Sequence, residues 1–308
     1  MKHYPLACVD GRSLPYEQAT VPFEAQALRY ALSVFEGIRG YKLADDPRVE
    51  FFALDEHLAR LLRSLQLVGL PTVDVGRVAA EAKGLLKENS VSDDCYLRIG
   101  VSAITTGDLN VAPTVCTMMS LQPMGRKPSA QSGQRLSVLI SDRRKPSDVM
   151  FPQRAKCIAN YAGSRLALLE AKSRGFDSVI LRSADGLLAE APTANLFLIR
   201  QGRLSTPRLS DGILDGITRD TVFRLAQELG LECLECALSK DDAYGSDAAF
   251  LCGTGLEFAE IGRFDDRVLP GAPGLLQNLV AAYFRSVRTG DSSRHQYVSL
   301  SGGGRNAD

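Results

Sequence analysis

Lys156 is the residue in this chain whose setting best suits covalent chemistry. It lies in PQRAKCIANYAGSRLALLEA, just ahead of a predicted helix whose expected apolar stripe includes Ala162, Leu166 and Leu169. A lysine held by the start of a packed helix can be fixed well enough to form an imine with a carbonyl cofactor. Taken alone, such a lysine is more often a solvated side chain. The other motifs of the chain therefore have to decide between the two interpretations.

Two glycine-rich segments further along the chain suit anion binding. In DGILDGITRDTVFRLAQELG, Gly216, Ile217 and Thr218 are expected at a helix N-terminus, where unsatisfied N–H groups and the helix dipole favour a phosphate. The alternative is that Thr218 is only an N-cap. In AAFLCGTGLEFAEIG, a predicted strand runs into Thr254 and Gly255, which exposes backbone amides and a hydroxyl. No GxGxxG spacing followed by a helix is present, so this is not a dinucleotide fingerprint.

Arg60 is the corresponding candidate in the first half of the chain. In DEHLARLLRSLQLVGL, the leucines at positions 58, 61, 62 and 65 form the inward stripe of a predicted helix. Arg60 lies off that stripe and is free to bind an anion, for which a forked guanidinium is well shaped. Most arginines in such a position are only solvated.

Two predicted strands of the first half carry a mixed set of aromatic, glycine and arginine residues. In ALRYALSVFEGIRGYK, an extended chain places Phe35, Gly37, Arg39 and Tyr41 on one face, which suggests a pocket wall beside an aliphatic group. The alternative is a core strand, which Arg39 fits poorly. In CYLRIGV, the apolar side chains point one way, and Tyr96 and Arg98 point the other; the alternative for these two is an ordinary surface pair.

Several of these segments resemble one enzyme family. AKCIANY resembles the Lys-x-x-x-Asn-Tyr segment of the fold type IV pyridoxal-phosphate enzymes, the class IV aminotransferases and their relatives. LLAEAPTANLFLIR resembles that family's Glu-x-x-x-x-Asn-Leu-Phe segment, and GITR resembles its phosphate cup. ALRYALSVFEGIRGYK is similar to the branched-chain aminotransferases almost residue for residue. Five motifs occur in the family's order between residues 28 and 262.

The resemblance implies a role for each candidate residue. Lys156 would carry pyridoxal phosphate as a Schiff base, Tyr161 would hydrogen-bond its phenolic oxygen, and Glu190 would pair with its ring nitrogen; without the resemblance, Tyr161 is a packing residue and Glu190 an exposed loop acid. Cofactor binding would further involve Asn195 in a supporting turn and a phosphate site built from Arg60, Gly216, Ile217, Thr218 and Thr254. Substrate binding would involve Tyr30, Phe35, Gly37, Arg39, Tyr96 and Arg98, with the amides of Thr254 and Gly255 on the α-carboxylate.

The implied function is ping-pong transamination of an aliphatic, branched-chain-like L-amino acid with 2-oxoglutarate. Departures from the branched-chain pattern occur in the short hairpin ITTGDLNVAPT, at Met124 and Lys127 in QPMGRKPS, and in EAPTAN. An alternative is another fold type IV activity, either on D-amino acids, in a specialised pathway, or as an aminodeoxychorismate lyase. A further alternative is a non-catalytic or thiol-based binding protein on the same fold, which rests on the Cys233/Cys236 pair and the divergent loops. Physical argument does not separate L from D preference.

The elements around these residues predict two domains. A small α/β domain is expected over residues 1–123, a Pro/Gly/Ser-rich linker over 124–135, a larger mixed-sheet domain over 136–290 and a flexible tail over 291–308. Helices are expected near residues 55–69, 74–89, 160–174, 218–229 and 273–288, with strands at VEFFAL, CYLRIGV, RLSVLIS, SVILRS, NLFLIR and AAFLCG. The fold class is therefore a two-domain α+β or α/β arrangement, which the resemblance narrows to the D-amino acid aminotransferase-like fold type IV.

The composition limits the classes of binding partner that are expected. The 308 residues include 36 basic and 36 acidic side chains, which gives no reason to expect nucleic acid or an anionic membrane as a partner. We find no signal-peptide or membrane-span pattern, so a soluble, cytoplasmic protein with reduced thiols is expected. The three histidines are far apart, so no histidine metal site is expected. A small-molecule amino acid and 2-oxo acid are the expected ligands, and the resemblance implies a homodimer in which a small-domain loop of one subunit closes the other's site.

Overall fold

The first half of the chain folds around an antiparallel sheet. The computed structural model describes residues 2–44, 46–126 and 134–289. Six strands form this sheet in the order β2-β1-β6-β5-β3-β4. Their bounds are β1 Leu6–Val9, β2 Arg12–Pro15, β3 Ser33–Lys42, β4 Val49–Phe51, β5 Cys95–Ala103 and β6 Val115–Pro123. Each pair of neighbouring strands in this sheet is antiparallel.

Three helices accompany the small sheet: α1 (Gln26–Tyr30), α2 (Leu54–Leu67) and α3 (Val75–Glu88). The α2 helix buries Leu58, Leu61 and Leu65 against the sheet, as its spacing predicts. Asp74 caps α3 by accepting hydrogen bonds from two backbone amides of its first turn. The core of this sheet therefore fixes the orientation of α2, and with it the direction in which Arg60 points.

The second half of the chain forms a larger mixed sheet. Its main path runs β12-β11-β10-β13-β14-β7-β8, with β15 paired to β14 and β9 paired to β10. The bounds are β7 Leu136–Arg144, β8 Ser178–Arg182, β9 Glu190–Ala191, β10 Ala194–Arg200, β11 Arg203–Thr206, β12 Cys233–Glu235, β13 Ala248–Gly253, β14 Glu257–Phe264 and β15 Arg267–Val268. The β7–β8, β7–β14 and β11–β12 pairs are parallel, and the remaining pairs are antiparallel. The mixed sheet expected for this half is therefore observed.

The helices of the second half are α4 (Tyr161–Ser173), α5 (Ile217–Glu228), α6 (Lys240–Tyr244) and α7 (Pro273–Ser286). The prediction for the buried face of α4 is wrong. Leu166 and Leu169 are exposed, whereas Ala167 and Ala171 are buried against β7 and β8. Small side chains let the helix approach the sheet closely, and the leucines consequently face outward.

The two halves share a buried boundary. Tyr41 belongs to β3 of the small sheet, yet it is fully buried in the hydrophobic cluster of the large one, beside Tyr283 of α7. The proposed boundaries at residues 123, 135 and 290 remain a prediction. Most of the expected linker, including Lys127, and the expected tail over 291–308 lie outside the described residues.

Membrane-spanning helices and metal-binding clusters were not expected, and the described residues are 2–44, 46–126 and 134–289. No helix in these ranges is long and apolar enough to cross a bilayer. In the same ranges, no cluster of His, Cys, Asp and Glu side chains is arranged to hold a metal ion.

Candidate active site

A cavity of about 530 Å³ opens between the two sheets. Its walls collect most of the residues singled out in the sequence. Those present are Phe35, Gly37, Arg60, Tyr96, Arg98, Lys156, Tyr161, Glu190, Asn195, Gly216, Ile217, Thr218, Thr254 and Gly255. Residues far apart in sequence are thus brought to one site, as the interpretation of the motifs requires.

Lys156 is held by both halves of the chain. Its backbone amide donates to Ser64 Oγ of α2 at 3.0 Å, and its carbonyl accepts from the amide of Phe35 in β3 at 3.0 Å. The side-chain amine lies 3.1 Å from the Tyr161 hydroxyl, at the start of α4. Burial and the nearby positive charge of Arg60 both lower the pKa of Lys156, against the opposing effect of Glu36. A lowered pKa leaves more of the amine neutral, which is the nucleophilic form.

Asn160 braces the segment that carries Lys156. Its side-chain nitrogen donates to the carbonyls of Pro152 and Ala155 at 3.1 and 3.0 Å, and its oxygen accepts from Gln153 at 3.1 Å. The lysine therefore sits on a closed loop rather than on a free linker.

The burial of Tyr161 raises the pKa of its phenol, and Glu190 adds to that effect, so the hydroxyl stays protonated at neutral pH.

Glu190 is held by three donors in the same cavity. Its Oε2 accepts from Asn195 Nδ2 at 3.1 Å and from the Leu214 amide at 3.0 Å, and its Oε1 pairs with Lys145. These donors hold the carboxylate at the cavity surface, with 12% of its side chain exposed. Sequence reasoning missed Lys145, a second buried lysine in the same cavity, because no motif singled it out.

The N-terminus of α5 opens onto the cavity. Gly216 is its N-cap and Thr218 is its second residue, so the alternative that Thr218 is the N-cap is wrong. A Cβ at Gly216 would overlap Asn195 Oδ1, so only glycine allows this turn to lie against the support of Glu190. The first-turn amides of a helix have no intrahelical acceptor, which makes this end a ready site for an anion.

Arg60 is buried between the two halves and is not a solvated surface arginine. Its Nε and Nη2 donate to the Glu36 carboxylate at 2.7 and 2.9 Å, and its Nη1 donates to the carbonyl of Asp215 at 2.7 Å. His57, one turn earlier on α2, lies 2.7 Å from the same carboxylate. Burial alone would raise the pKa of Glu36, but Arg60 and His57 outweigh it and lower that pKa. The i, i+3 spacing of His57 and Arg60 is the signal that could have revealed this cluster.

The small-domain wall is built from β3 and β5. Tyr96 and Arg98 face the cavity while the alternate residues of β5 are buried, as the strand pattern predicts. A Cβ at Gly37 would overlap the Tyr96 phenol, so the glycine makes room for that ring. Phe35 packs on Tyr161 with ring centroids 5.1 Å apart, and the Arg98 guanidinium lies 4.3 Å from the Phe35 centroid. Burial raises the pKa of Tyr96, which is therefore a neutral hydrogen-bond donor.

Two predicted substrate residues are not among the residues that line this cavity. Arg39 is 1% exposed and forms an ion pair with Glu257 at 3.1 Å, so the structure places it at the junction of the two sheets. Tyr30 ends α1, with the Arg29 guanidinium 5.2 Å from its ring centroid. The prediction assumed that residues on one face of a strand share one environment. In the structure, β3 runs from the cavity at Gly37 into the core of the second half at Tyr41, four residues later.

Comparison with known proteins points in the same direction as the geometry. The family model described as amino-transferase class IV matches residues 33–264. A probable branched-chain-amino-acid aminotransferase of Synechocystis is 29% identical over 285 residues, covering 90% of this chain and 91% of that protein. A similarly described protein of Rickettsia bellii is 32% identical, covering 83% and 86%.

Solved structures give the same result. A branched-chain aminotransferase of Thermoproteus uzoniensis with norvaline superposes with a TM-score of 0.88 at 30% identity, covering 95% of this chain and 97% of that one. The branched-chain amino acid aminotransferase of Thermobaculum terrenum in its PLP form gives 0.87 at 31% identity, covering 96% and 97%. These superpositions include both sheets and the cavity between them.

Proposed function

Because the chain belongs to the class IV aminotransferase family and is a pyridoxal-phosphate-dependent transaminase of fold type IV, we propose that it transfers the amino group of an aliphatic, branched-chain-like L-amino acid to 2-oxoglutarate. The proposed course is ping-pong, with the two substrates using one cavity in turn. The observation that carries the proposal is the approach of Lys156 to the Tyr161 hydroxyl in a cavity walled by Glu190, the α5 N-terminus and Tyr96.

The residues around the cavity fit pyridoxal phosphate. The α5 N-terminus supplies uncommitted amides, and the Arg60 guanidinium, already held by Glu36 and Asp215, supplies a fixed charge beside them. Glu190 is a carboxylate acceptor for a ring nitrogen, and Lys156 is an amine for a carbonyl. We propose that these residues, with Thr254 and Asn195, hold the cofactor. When bound, the cofactor supplies an electron sink for the pair of electrons released at the substrate Cα.

The protein's own residues then manage charge and protons. Lys156, displaced by the incoming amino group, would be the base that takes the Cα proton and returns it to the cofactor's C4′ carbon, two atoms further along. Its lowered pKa suits that task because the free amine must be neutral to accept a proton. Three donors hold the Glu190 carboxylate in position for the ring nitrogen, and Tyr161 remains a neutral donor to the cofactor's phenolic oxygen.

The small-domain wall supports the proposed substrate class. Phe35 and Gly37 offer an apolar face with space beside the glycine, which suits an aliphatic side chain. Tyr96 and Arg98 place a phenol and a guanidinium at the same wall, which suits the side-chain carboxylate of glutamate or 2-oxoglutarate. Gln122 and Met124 also line the cavity.

We further propose that the protein works as a homodimer. In the single subunit, Phe23, Leu28 and Leu109 are 84%, 59% and 67% exposed, and they lie on segments joined by hydrogen bonds from Gln26 to the carbonyls of Asp108 and Val111. Large exposed side chains held on a braced surface are typical of a protein interface. Tyr30 adjoins this surface on α1, which suits a role in the site of a second copy.

The test is the visible absorption spectrum of the cofactor-loaded protein during titration with L-leucine. We expect the yellow band to convert to the spectrum of the amino form, and subsequent 2-oxoglutarate to restore it. Lys156→Ala should lack the band, whereas Lys172→Ala, at the end of α4, should behave as the wild type. A band that leucine leaves unchanged but D-leucine converts would contradict the L-amino acid assignment. Absence of any band in the loaded wild type would contradict the assignment of Lys156.

A further inference from the structure

The turn that presents Thr254 and Gly255 to the cavity ends in a left-handed glutamate. Gly253 and Glu257 pair across the antiparallel β13–β14 ladder, so residues 254–256 form a three-residue hairpin loop. Glu257 has a φ of +63°. Glycine is the residue that adopts this left-handed conformation without strain. Here a residue with a Cβ occupies it, so something else must hold the backbone in that conformation.

The side chain of Glu257 is held by an arginine from the other sheet. Glu257 is fully buried, and its Oε1 accepts from Arg39 Nη2 at 3.1 Å and from the Tyr41 hydroxyl at 3.0 Å. The two η nitrogens of Arg39 also donate to the carbonyl of Gly125, at 3.3 and 3.2 Å. Arg39 therefore joins β3, the segment that follows β6, and the first residue after the 254–256 turn.

We propose that Arg39 and Glu257 form a positioning pair that fixes the 254–256 turn and thereby aims the amides of Thr254 and Gly255 at the carboxylate of the substrate. This inference rests on the proposed function, together with the family resemblance that assigns those amides to the α-carboxylate. It also gives Arg39 a role that acts through Glu257 rather than by contact with the substrate.

A purely stabilising role explains the pair less well. A buried ion pair is often no more stabilising than apolar side chains of similar size, because both charges lose their hydration. The pair is also attached to the one place in the hairpin where the backbone is strained, directly after Leu256, which lines the cavity. A charged pair at this place specifies one geometry of the turn, which apolar packing would do less strictly.

The experiment compares two probes that both capture the carbonyl of bound pyridoxal phosphate. Aminooxyacetate carries a carboxylate, and O-methylhydroxylamine does not. The ratio of their second-order rate constants, followed by the change in the cofactor's absorption, measures recognition of the carboxylate without depending on the substrate's side chain. We expect Glu257→Gln and Arg39→Met to lower this ratio on the order of tenfold, the effect of losing one charge-assisted contact.

A matched control lies on the same strand. Glu260 forms an ion pair with Arg135 at 2.9 Å, three residues after Glu257 and away from the turn. Glu260→Gln should leave the ratio unchanged. Glu257→Gly provides a variant whose backbone tolerates the left-handed conformation, so that it folds even if Arg39→Met does not. It should show the same loss, because glycine permits the left-handed conformation but no longer ties the turn to Arg39. Its melting temperature and cofactor content verify that it is folded and loaded.

An unchanged ratio in folded, loaded Glu257→Gly and Glu257→Gln would overturn the inference. A wild type with no preference for aminooxyacetate would overturn it as well, because the turn would then not receive a carboxylate. Failure of the proposed function is distinguishable from both results. If leucine does not convert the cofactor while the wild type prefers aminooxyacetate and the variants lose that preference, the substrate class is wrong and the positioning pair stands.

Discussion

Lys156 is subject to opposing influences that can be separated by substitution. Burial and Arg60 lower the pKa of its amine, and Glu36 raises it. Only the neutral amine attacks a carbonyl, so the rate at which the apoprotein captures phosphate-free pyridoxal should rise with pH. We expect the midpoint of that rise to lie below the ordinary lysine value, and Arg60→Gln to move the midpoint upward because one lowering influence is removed.

The control for this pH profile is Arg63→Gln. Arg63 is one turn along α2 and is 55% exposed, so its charge is screened by solvent. Its loss should leave the midpoint in place. If Arg60→Gln also leaves the midpoint unchanged, the charge of Arg60 does not control the protonation of Lys156.

Gly37 tests the substrate wall at the residue scale. A Cβ at this position would overlap the Tyr96 phenol, so Gly37→Ala should displace that ring. We expect KM for the amino acid to rise on the order of tenfold, as expected when a well-placed polar contact is lost, while affinity for pyridoxal phosphate is kept. Steady-state kinetics together with cofactor titration would measure both. Equal losses in the two measurements would indicate general damage rather than a displaced Tyr96.

Gly84→Ala is the matched control for that substitution. Gly84 lies inside α3, and a Cβ there meets nothing within 4 Å. Alanine should therefore stabilise the helix by about 0.5–1 kcal/mol and leave the kinetics unchanged.

At the scale of elements, the α5 N-terminus should act mainly on the phosphate. Gly216→Ala pushes a Cβ into Asn195 and shifts the first turn of the helix. We expect a larger loss of affinity for pyridoxal phosphate than for pyridoxal, which has no phosphate and is affected only through Asn195 and Glu190. Gly163→Ala in α4, where a Cβ meets nothing within 4 Å, should affect neither ligand. Equal loss of both ligands would mean that the turn supports the ring rather than the phosphate.

The elements also show what the sequence could predict. Each helix expected in the sequence is present, with ends within two residues of the prediction, and the alternation of β5 correctly separated Tyr96 and Arg98 from the core. The spacing of apolar residues identifies the side chains on one face of a helix or strand, but not the elements against which that face packs. The buried face of α4 is made of small residues, and Arg60 points into a junction that only tertiary packing creates. Lys145 and the Glu36–His57 pair were missed for the same reason, since each depends on contacts between distant segments.

At the scale of the whole molecule, the exposed apolar surface around α1 predicts self-association. Leu109→Asp should place a charge in that surface and convert dimers to monomers, as measured by sedimentation velocity. Val268→Asp changes an apolar residue of comparable exposure, 74% on β15. That control should remain dimeric. A wild type that sediments as a monomer would contradict the proposed homodimer.

The position of Tyr30 allows the dimer and the site to be tested together. Tyr30 is not among the residues that line its own subunit's cavity, but it adjoins the surface proposed to meet a second copy. If it completes the partner's site, Tyr30→Ala and Lys156→Ala homodimers should each be impaired, whereas hybrids of the two should regain activity. In such a hybrid, the subunit that keeps Lys156 receives an intact Tyr30 from its partner, so one of the two sites is complete. Hybrids formed by mixing and purified through two different tags should therefore recover up to about half of the wild-type kcat, the share expected when one of two independent sites works. Hybrids no more active than the Tyr30→Ala homodimer would place the action of Tyr30 within its own subunit.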